Sequence, residues 1–272
     1  MMGLNPIQYR PWRGQRTEHD RRFLVIASKV FRQKLGAKWI IGLLIIGTFL
    51  TFGIQIIFSS IVPHESLTAR TMVGQFQNGL FYIFIIILVS MICSDLVSED
   101  LRSGSLVLYL SRALKPEGYL LGKWLGAVAT LSLLTFIAPM ILAVTATQSG
   151  SDYLSSVAVI GRTVLASAFV TLFVAPIGMM LSSLTTRKTY AAVGTFMVFF
   201  LLGLVGGIFS AYDDNWNLLD PGFVLSRSYE VIFGLEMPPG VDGGLLLVAA
   251  AMMTVPPTLL VLHRVVRKGV GK

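Results

Sequence analysis

Residues 99–123 read EDLRSGSLVLYLSRALKPEGYLLGK, and this stretch lies between two long apolar segments. It carries too many polar and charged residues to cross a bilayer, yet it is too rich in leucine to be a plain linker. An amphipathic segment that joins two membrane helices is a place where a soluble partner can bind a membrane protein. What the protein does should therefore depend on what binds residues 95–123.

The composition of the whole chain is that of an integral membrane protein. Of its 272 residues, 54% are hydrophobic and 13% are charged, whereas a soluble domain carries about 25% charged residues. The single cysteine, Cys93, excludes an intramolecular disulfide and a metal site built from several cysteines. We expect Cys93 to be a small buried side chain. No secretory signal peptide is expected, because the first apolar run begins near Trp39, behind a long basic segment.

Six apolar stretches are each long enough to cross about 30 Å of hydrocarbon as a helix. None has the alternation of a transmembrane β-barrel strand, so we predict an all-α membrane protein with one transmembrane domain over residues 1–272. The split between the fourth and fifth stretches rests on Arg187 and Lys188 alone. The predicted spans are residues 40–62, 76–94, 124–147, 163–186, 189–212 and 243–262.

Positive charge is concentrated on one side of the predicted membrane. Of the 22 lysines and arginines, all but Arg70, Arg162 and Arg227 lie before the first span, in residues 95–123, at positions 187–188 or after the last span. By the positive-inside rule we expect both termini of this multi-pass chain to be cytoplasmic. We expect the membrane to be the plasma membrane. The same distribution accounts for the net charge of +8, so we expect no nucleic-acid partner.

Residues 20–38 form a basic amphipathic segment ahead of the first span. The apolar residues share one helical face at three- and four-residue spacing: Phe23, Ile26, Ala27, Val30 and Phe31. The basic residues surround that face: Arg21, Arg22, Lys29, Arg32 and Lys34. This pattern predicts an interfacial helix, in a cytoplasmic leader over residues 1–38, whose basic face meets the anionic headgroups of the bilayer. A solvated basic leader is the alternative.

A second amphipathic tract, residues 213–242, lies in the outer loop between the fifth and sixth spans. It is too short to fold as a separate domain. Several of its apolar side chains nevertheless need cover: Phe223, Val224, Leu225, Val231, Ile232 and Phe233. We predict short re-entrant or interfacial helices that cap the outer mouth of the protein.

Small residues and prolines mark sites of close helix packing and of bending. Glycines recur at four-residue spacing in two places: Gly118, Gly122 and Gly126, and then Gly203 and Gly207. In lipid, such glycines allow helix backbones to approach closely, although a single pair also arises by chance. Prolines inside the spans favour kinks: Pro139, Pro176, Pro256 and Pro257.

Motifs for catalysis and for ion coupling are absent from the sequence. It contains no H-E-x-x-H, no G-x-S-x-G and no P-loop, so the chain cannot hydrolyse ATP by itself. A gradient-driven carrier would hold charges near the membrane midplane, where each costs roughly 2.5–3.5 kcal/mol, but the predicted spans are almost free of charge. One group of carboxylates could bind Mg²⁺ together with a substrate phosphate: Asp95, Glu99 and Asp100.

Within residues 104–121, apolar and polar side chains separate at helical spacing. The apolar stripe comprises Leu106, Val107, Leu110, Leu114 and Leu121, and the residues expected to be exposed are Ser105, Arg112, Lys115 and Glu117. Glu99 and Asp100 precede them, where acidic residues favour a helix N-terminus. We predict a helix–turn–helix on the cytoplasmic face, with Lys123 at the point where the chain re-enters the membrane.

The spacing inside this segment resembles that of the permease subunits of type-2 ABC exporters. In that family an acid precedes Gly-Thr-Leu by five residues, an apolar run ends in serine, and Gly-Lys follows 18 residues after the first glycine. The matching residues are Glu99, Gly104, Ser105, Leu106, Ser111, Gly122 and Lys123. Ser105 replaces the commoner threonine, and Ala113 stands where the family has proline, which falls at Pro116 instead. The six-span plan and the basic leader also match, so the resemblance covers essentially the whole chain.

The resemblance implies a permease subunit without catalytic residues, cofactor or metal of its own. It would pair with a second copy or a homologous permease, and two separate ATPase subunits would bind ATP and Mg²⁺. Residues 95–123 would form the coupling helix, and residues 187–188 a second contact with the ATPase. The implied coupling residues are Glu99, Asp100, Gly104, Ser105, Leu106, Ser111, Arg112, Gly122, Lys123, Arg187 and Lys188.

In this family the first and fifth spans meet across the dimer, so Gly203 and Gly207 become candidates for the dimer interface. The first, second and fifth spans would line the path. Their uncharged, phenylalanine-rich faces suit a lipidic, amphipathic or hydrophobic cargo. Two other classes stay open from the residues alone: a stand-alone channel or gradient-driven carrier, and a membrane enzyme that acts on lipid phosphates.

Overall fold

The computed structural model describes residues 21–61, 69–111, 115–147, 153–236 and 242–269. Over these residues the chain is helical and has no β-strand. The helices are α1 (Arg22–Leu35), α2 (Lys38–Thr48), α3 (Ile54–Ile61), α4 (Ala69–Phe76), α5 (Gly79–Cys93), α6 (Ser98–Ser103), α7 (Ser105–Ser111), α8 (Pro116–Ser132), α9 (Ala138–Thr147), α10 (Tyr153–Leu184), α11 (Lys188–Phe209), α12 (Pro221–Phe233) and α13 (Gly243–Gly269). Wider π-helical turns at Phe49–Gly53 and Leu133–Ile137 join α2 to α3 and α8 to α9, and a 3₁₀ helix covers Asp214–Leu219.

Six of the described helical segments are long and apolar enough to cross a membrane, which confirms the predicted number. They are Lys38–Ile57, Gly79–Ser103, Pro116–Val144, Val157–Leu184, Lys188–Phe209 and Gly243–Lys268. The even number brings α1, α6, α7 and the last turns of α13 to one end of the bundle, which we call the α1 end. The opposite end, called the α12 end, carries α4, the 3₁₀ helix and α12.

The third span begins at Pro116, eight residues before its predicted start. Lys115 has the extended conformation (φ −66°, ψ 145°) that a residue before proline favours. Pro116 then occupies the first helical position, where its missing N–H leaves no hydrogen bond unmade. The two helices predicted for residues 104–121 are present as α7 and the first turns of α8. The second of them continues without interruption as the third span, so Lys123 lies two turns inside α8 and not at the start of a helix.

Prolines and the two π-helical turns interrupt the regular hydrogen bonding of the spans. The turn at Leu133–Ile137 directly precedes Pro139, the second residue of α9. In a regular helix the proline ring collides with the carbonyl four residues before it, and a wider turn relieves that collision. In the turn at Phe49–Gly53, the Thr51 hydroxyl donates a hydrogen bond to the Gly47 carbonyl (2.6 Å). The other predicted prolines lie inside α10 and α13: Pro176, Pro256 and Pro257.

The glycines at the start of the third span pack against α1. A Cβ atom on Gly122 would lie 2.6 Å from the carbonyl oxygen of Phe23, and one on Gly126 would lie 2.6 Å from Cβ of Val30. The two helices are therefore in backbone contact, as the glycine spacing predicted. Gly118 does not take part, since a Cβ atom there would have no neighbour within 4 Å.

The apolar face predicted for α1 is thus covered by the third span. Lys34, which was predicted to belong to the basic face, is buried together with Val30. The outward face of α1 instead carries the apolar side chains of Leu24 and Val25 next to basic ones, Lys29 and Arg32. Apolar and basic side chains side by side are what a helix at a membrane surface presents.

The connection between the fifth and sixth spans contains the predicted short helices, the 3₁₀ helix and α12. Val224, Leu225 and Phe233 are buried, but Val231, which we expected to need cover, is exposed. An aromatic cluster lies beneath α12, with neighbouring ring centroids 5.0–6.2 Å apart and mostly edge-to-face or tilted. Its members are Phe52, Phe76, Phe81, Tyr229 and Phe233. Such pairs add about 0.5–1.5 kcal/mol each beyond simple burial, so the cluster attaches α12 to the first and second spans.

The contact between α1 and the third span makes a first prediction. Gly126→Ala should lower the free energy of unfolding by about 1–3 kcal/mol, because the added methyl group would overlap Val30. Gly118→Ala adds the same methyl group in the same helix without a neighbour, and it should be neutral or stabilising by up to about 1 kcal/mol. Thermal unfolding midpoints of the two variants, purified in one detergent, measure the difference. Equal midpoints would contradict the packing of α1 on α8.

Candidate functional site

The N-terminus of α6 is attached to the fourth span by a single serine. The first N–H groups of a helix lack partners within that helix. The Ser182 hydroxyl accepts hydrogen bonds from the backbone N–H groups of Val97 (3.0 Å) and Ser98 (3.1 Å), and it donates one to the Ser94 carbonyl (2.9 Å). Ser182 is completely buried, so this cap is shielded from water and fixes α6 to α10.

Gly104 reverses the chain between α6 and α7. It has φ +70°, in the left-handed region that costs other residues roughly 1–2 kcal/mol. A Cβ atom at this position would have no neighbour within 4 Å, so the backbone conformation and not the available space requires glycine. The Ser103 hydroxyl supports the turn through the Glu99 carbonyl (2.8 Å) and the Ser105 hydroxyl (3.0 Å).

Asp100 joins this turn to the third span. Its Oδ1 accepts a hydrogen bond from the Ser105 hydroxyl (3.0 Å), and its Oδ2 accepts one from the Tyr119 hydroxyl (2.5 Å). Oδ2 also pairs with Nζ of Lys123 at 2.8 Å, and the Asp100 and Lys123 side chains are each only 12% exposed. Lys123 Nζ lies 5.7 Å from the centre of the Tyr119 ring as well. We call these four residues the Asp100 junction.

A second ion pair attaches α1 to the end of the second span. Nζ of Lys34, whose side chain is 5% exposed, contacts Oδ1 of Asp95 and lies 3.5 Å from the Met91 carbonyl. A small cavity of about 60 Å³ separates this pair from the Asp100 junction. Two charge pairs thus lie side by side at the α1 end. Lys34 of α1 pairs with Asp95, and Lys123 of α8 pairs with Asp100.

The three carboxylates considered for Mg²⁺ each face a different cation. Asp95 pairs with Lys34, Asp100 pairs with Lys123, and Glu99 pairs with Arg102. Among the described residues, no three His, Cys, Asp or Glu side chains gather in a way that could hold a metal ion. Each of the three carboxylates is thus engaged in an ion pair, and the pairs of Asp95 and Asp100 join different helices.

The outward side of α6 and α7 carries charged and apolar side chains. Glu99 and Arg102 pair with each other at 3.0 Å and are 43% and 67% exposed. Of the predicted apolar stripe, Leu106 is buried, whereas Val107 and Leu121 are exposed. The stripe was assigned on the assumption of one continuous helical face, and the break at Pro116 separates Leu121 from it.

Other predicted members of the segment cannot all be compared with the structure. Arg112 and Leu114 lie outside the described residues. Leu110 and Ser111 are described only as part of α7. Gly122 lies against α1 and not on the outward side of the segment.

The predicted second contact lies in the short connection between α10 and α11. Arg187 and Lys188 are exposed, and the Arg187 guanidinium lies 5.6 Å from the centre of the Tyr190 ring. Because Ser182 near the end of α10 caps α6, this connection lies close to α6 and α7, which together we call the Glu99 segment. Arg264 of α13 donates to the Ser183 carbonyl (2.9 Å) and brings the last span to the same place.

The two glycines proposed for a dimer interface occupy different surroundings. A Cβ atom on Gly203 would lie 3.1 Å from Oδ1 of Asp220 in the same chain, so the close contact of this glycine is internal. Gly207 is exposed, and no atom lies within 4 Å of a Cβ placed on it.

Sequence reasoning missed three residues that hold the site together: Tyr119, Lys34 as a buried residue, and Ser182. A signal existed for Tyr119, because it lies four residues before Lys123 and hence on the same face of a helix. Lys34 and Ser182 meet partners that are 57–88 residues away in sequence, and no local pattern indicates such pairs.

The fold and the site define a class of protein: a multi-pass helical membrane protein with a short, firmly bonded helical pair between its second and third spans. A sequence model of the ABC-2 family transporter proteins matches residues 24–219, which include most of α1 and the first five spans. The chain therefore belongs to this family, and the predicted resemblance is confirmed. No curated protein matches the chain significantly.

The Asp100 junction makes a second prediction. Asp100→Asn keeps the size of the side chain but leaves the Lys123 ammonium buried without a counter-charge. Removing one partner of a buried pair costs about 3 kcal/mol, so the unfolding midpoint of the purified chain should fall clearly. Glu99→Gln is the matched control, since an exposed pair contributes less than about 1 kcal/mol.

A double variant separates the ion pair from other effects of the substitution. Asp100→Asn combined with Lys123→Met removes both charges, and it should recover part of the stability that Asp100→Asn loses. If Asp100→Asn and Glu99→Gln lower the midpoint equally, the junction does not hold the segment.

Proposed function

We propose that the chain is the permease subunit of an ATP-driven ABC exporter. It would form the translocation path as a dimer and take its energy from separate ATPase subunits. The observation that carries the proposal is the Asp100 junction, which bonds a short helical pair to the third span while Glu99 and Arg102 face outward.

A coupling element has two physical requirements, and the Glu99 segment meets both. It must expose groups that a soluble partner can bind, which here are the exposed side chains of Glu99, Arg102 and Val107. It must also be attached to the spans, so that a displacement by the partner moves them. The Ser182 cap attaches it to the fourth span and the Asp100 junction to the third, while α6 itself continues the second.

The orientation that we propose follows from charge. The α1 end carries the exposed basic side chains of α1, residues 187–188 and the end of α13, so we assign it to the cytoplasm by the positive-inside rule. This assignment puts both termini inside and makes the Glu99 segment accessible to cytoplasmic ATPase subunits. The membrane that we propose is the plasma membrane.

The proposed dimer interface uses the faces of the first and fifth spans that the chain leaves uncovered. Exposed side chains on α11 recur at three- and four-residue spacing: Tyr190, Val193, Met197, Phe200, Leu204 and Ile208. Exposed side chains on the first span include Ile41, Ile45, Ile46 and Phe49. Gly207 belongs to the uncovered part of α11, so it is the glycine that we retain as an interface residue.

A third prediction tests the partner and the orientation together. The one native cysteine is buried, so an introduced cysteine provides a nearly unique reactive thiol. Arg102→Cys should react with a membrane-impermeant maleimide only from the cytoplasmic side, and a short bifunctional reagent should cross-link it to an ATPase subunit that co-purifies. Asn215→Cys, exposed at the α12 end, is the control and should react only from outside.

The outcomes of that experiment distinguish the classes of function. Co-purification of an ATPase subunit, with ATP hydrolysis by the complex, supports the exporter. If no ATPase subunit co-purifies and the chain alone conducts or exchanges a solute, the channel or carrier is correct. If the purified chain turns over a lipid phosphate by itself, the membrane enzyme is correct.

A fourth prediction concerns the second copy. Gly207→Cys and Ile54→Cys, introduced together, should form a disulfide between two chains in oxidised membranes, because the fifth span of one copy would lie against the exposed face of the first span of the other. Leu245→Cys in place of Gly207→Cys is the matched control. Leu245 is exposed on α13 at the α12 end, away from the proposed interface. Equal cross-linking of both variants would reflect random collision and contradict the interface.

A further inference from the structure

A cavity of about 210 Å³ lies at the α12 end, between the beginning of the second span and α12. Its wall contains the aromatic side chains of Phe76, Phe81 and Tyr229, and its polar members include Tyr82 and Asp220. A water molecule occupies about 30 Å³ in the liquid, so the cavity has room for a small organic group.

Asp220 brings an unneutralised carboxylate to this cavity. It caps α12, with Oδ1 accepting a hydrogen bond from the Gly222 N–H (2.8 Å). No ion-pair partner of Asp220 is present among the described residues. Arg227, also on α12, pairs with Glu230 at 2.9 Å and so does not neutralise Asp220. Burial raises the pKa of Asp220 above its ordinary value, although hydrogen bonds from the backbone of Gly222 and Phe223 oppose the shift, because removal from water disfavours the charged carboxylate.

The hydroxyl of Tyr82 also lacks a hydrogen bond. It is buried, and no hydrogen-bond partner for it is present in the described part of the chain. Gly222 lies beside both polar groups, since a Cβ atom on it would be 2.9 Å from Cζ of Tyr82 and 3.2 Å from Oδ1 of Asp220. The unpartnered hydroxyl and the carboxylate are therefore close to one another. A buried polar group without a partner destabilises the protein, so a ligand that bonds to it relieves that penalty.

The aromatic wall indicates which ligand fits. The Phe76 ring centre is 5.0 Å from that of Tyr229 and 5.6 Å from that of Phe81. Aromatic rings attract cations through their negative faces, and aromatic cages with a carboxylate recognise ammonium groups. A divalent metal ion would instead require several oxygen ligands, whereas this cavity has one carboxylate and mainly carbon surface.

We propose that this cavity binds the ammonium group of a small organic cation. Asp220 is the counter-ion, the Tyr82 hydroxyl accepts or relays a hydrogen bond, and the aromatic side chains form part of the wall beside the cation. This binding requires neither ATP nor a partner subunit. The proposal can therefore be tested separately from the exporter function. In the orientation proposed above, the site would face the outside.

Binding of two ammonium probes to the purified chain tests the proposal directly. Methylammonium and tetramethylammonium are titrated by calorimetry, with neopentyl alcohol as a neutral probe of similar shape to the latter. We expect saturable binding of at least one cation and none of the alcohol. No cation binding by a folded chain, or equal binding of the alcohol, would overturn the proposal and leave a cavity that holds only water.

Asp220→Asn separates charge from structure in the same assay. Asparagine caps helices as well as aspartate does, so α12 should stay in place while the affinity for the cation falls about tenfold or more. Tyr82→Phe, which removes only the unpartnered hydroxyl, should weaken binding several-fold. Asp242→Asn is the matched control, because Asp242 accepts a similar bond from the Gly244 N–H (2.9 Å) at an exposed position. Unchanged affinity in both Asp220→Asn and Tyr82→Phe would exclude the site.

Discussion

The organisation of the α1 end depends on one carboxylate, that of Asp100, which receives bonds from Ser105, Tyr119 and Lys123. Taking an aspartate and a lysine out of water is costly, and the cost is offset only when good geometry and additional hydrogen bonds are present together. The junction meets that condition by combining a charge pair with two hydroxyl donors. Because these groups come from α6, α7 and α8, the helical pair cannot move away from the third span without uncovering a buried charge. Its exposed charges therefore keep a defined position for a partner.

Lipid imposes a different constraint on the rest of the chain. Apolar side chains gain little by leaving lipid tails for protein, so helices associate where backbones can approach closely. The chain uses this device internally, at Gly122 and Gly126 against α1 and at Gly178 against Cys93. The first, fifth and sixth spans remain mostly uncovered by the rest of the chain, and the exposed Gly207 lies on the fifth. These uncovered apolar faces must be covered by lipid or by another protein.

Much of the fold followed from local patterns, since the number of spans depends on apolar length and charge, and the split at Arg187 depends on two charged residues. The position of Pro116 could have corrected the start of the third span, because proline favours the first turn of a helix. The Lys34–Asp95 pair and the Ser182 cap join residues distant in sequence, and no periodicity reveals them. The apolar face of α1 was predicted correctly, but its contact with the third span was not. An apolar stripe has the same sequence pattern whether lipid or protein covers it.

The two π-helical turns affect how the parts of the first and third spans nearer the α12 end could move. Each turn accommodates one more residue than a regular turn while the hydrogen-bonded backbone continues. Converting such a turn to regular helix would rotate the segment beyond it by about 100° and advance it by about 1.5 Å, the increment of one residue. The segments concerned, α3 and α9, are in contact with each other. Because α3 and α9 are in contact, they would have to turn together. Any such movement would occur in steps of one residue.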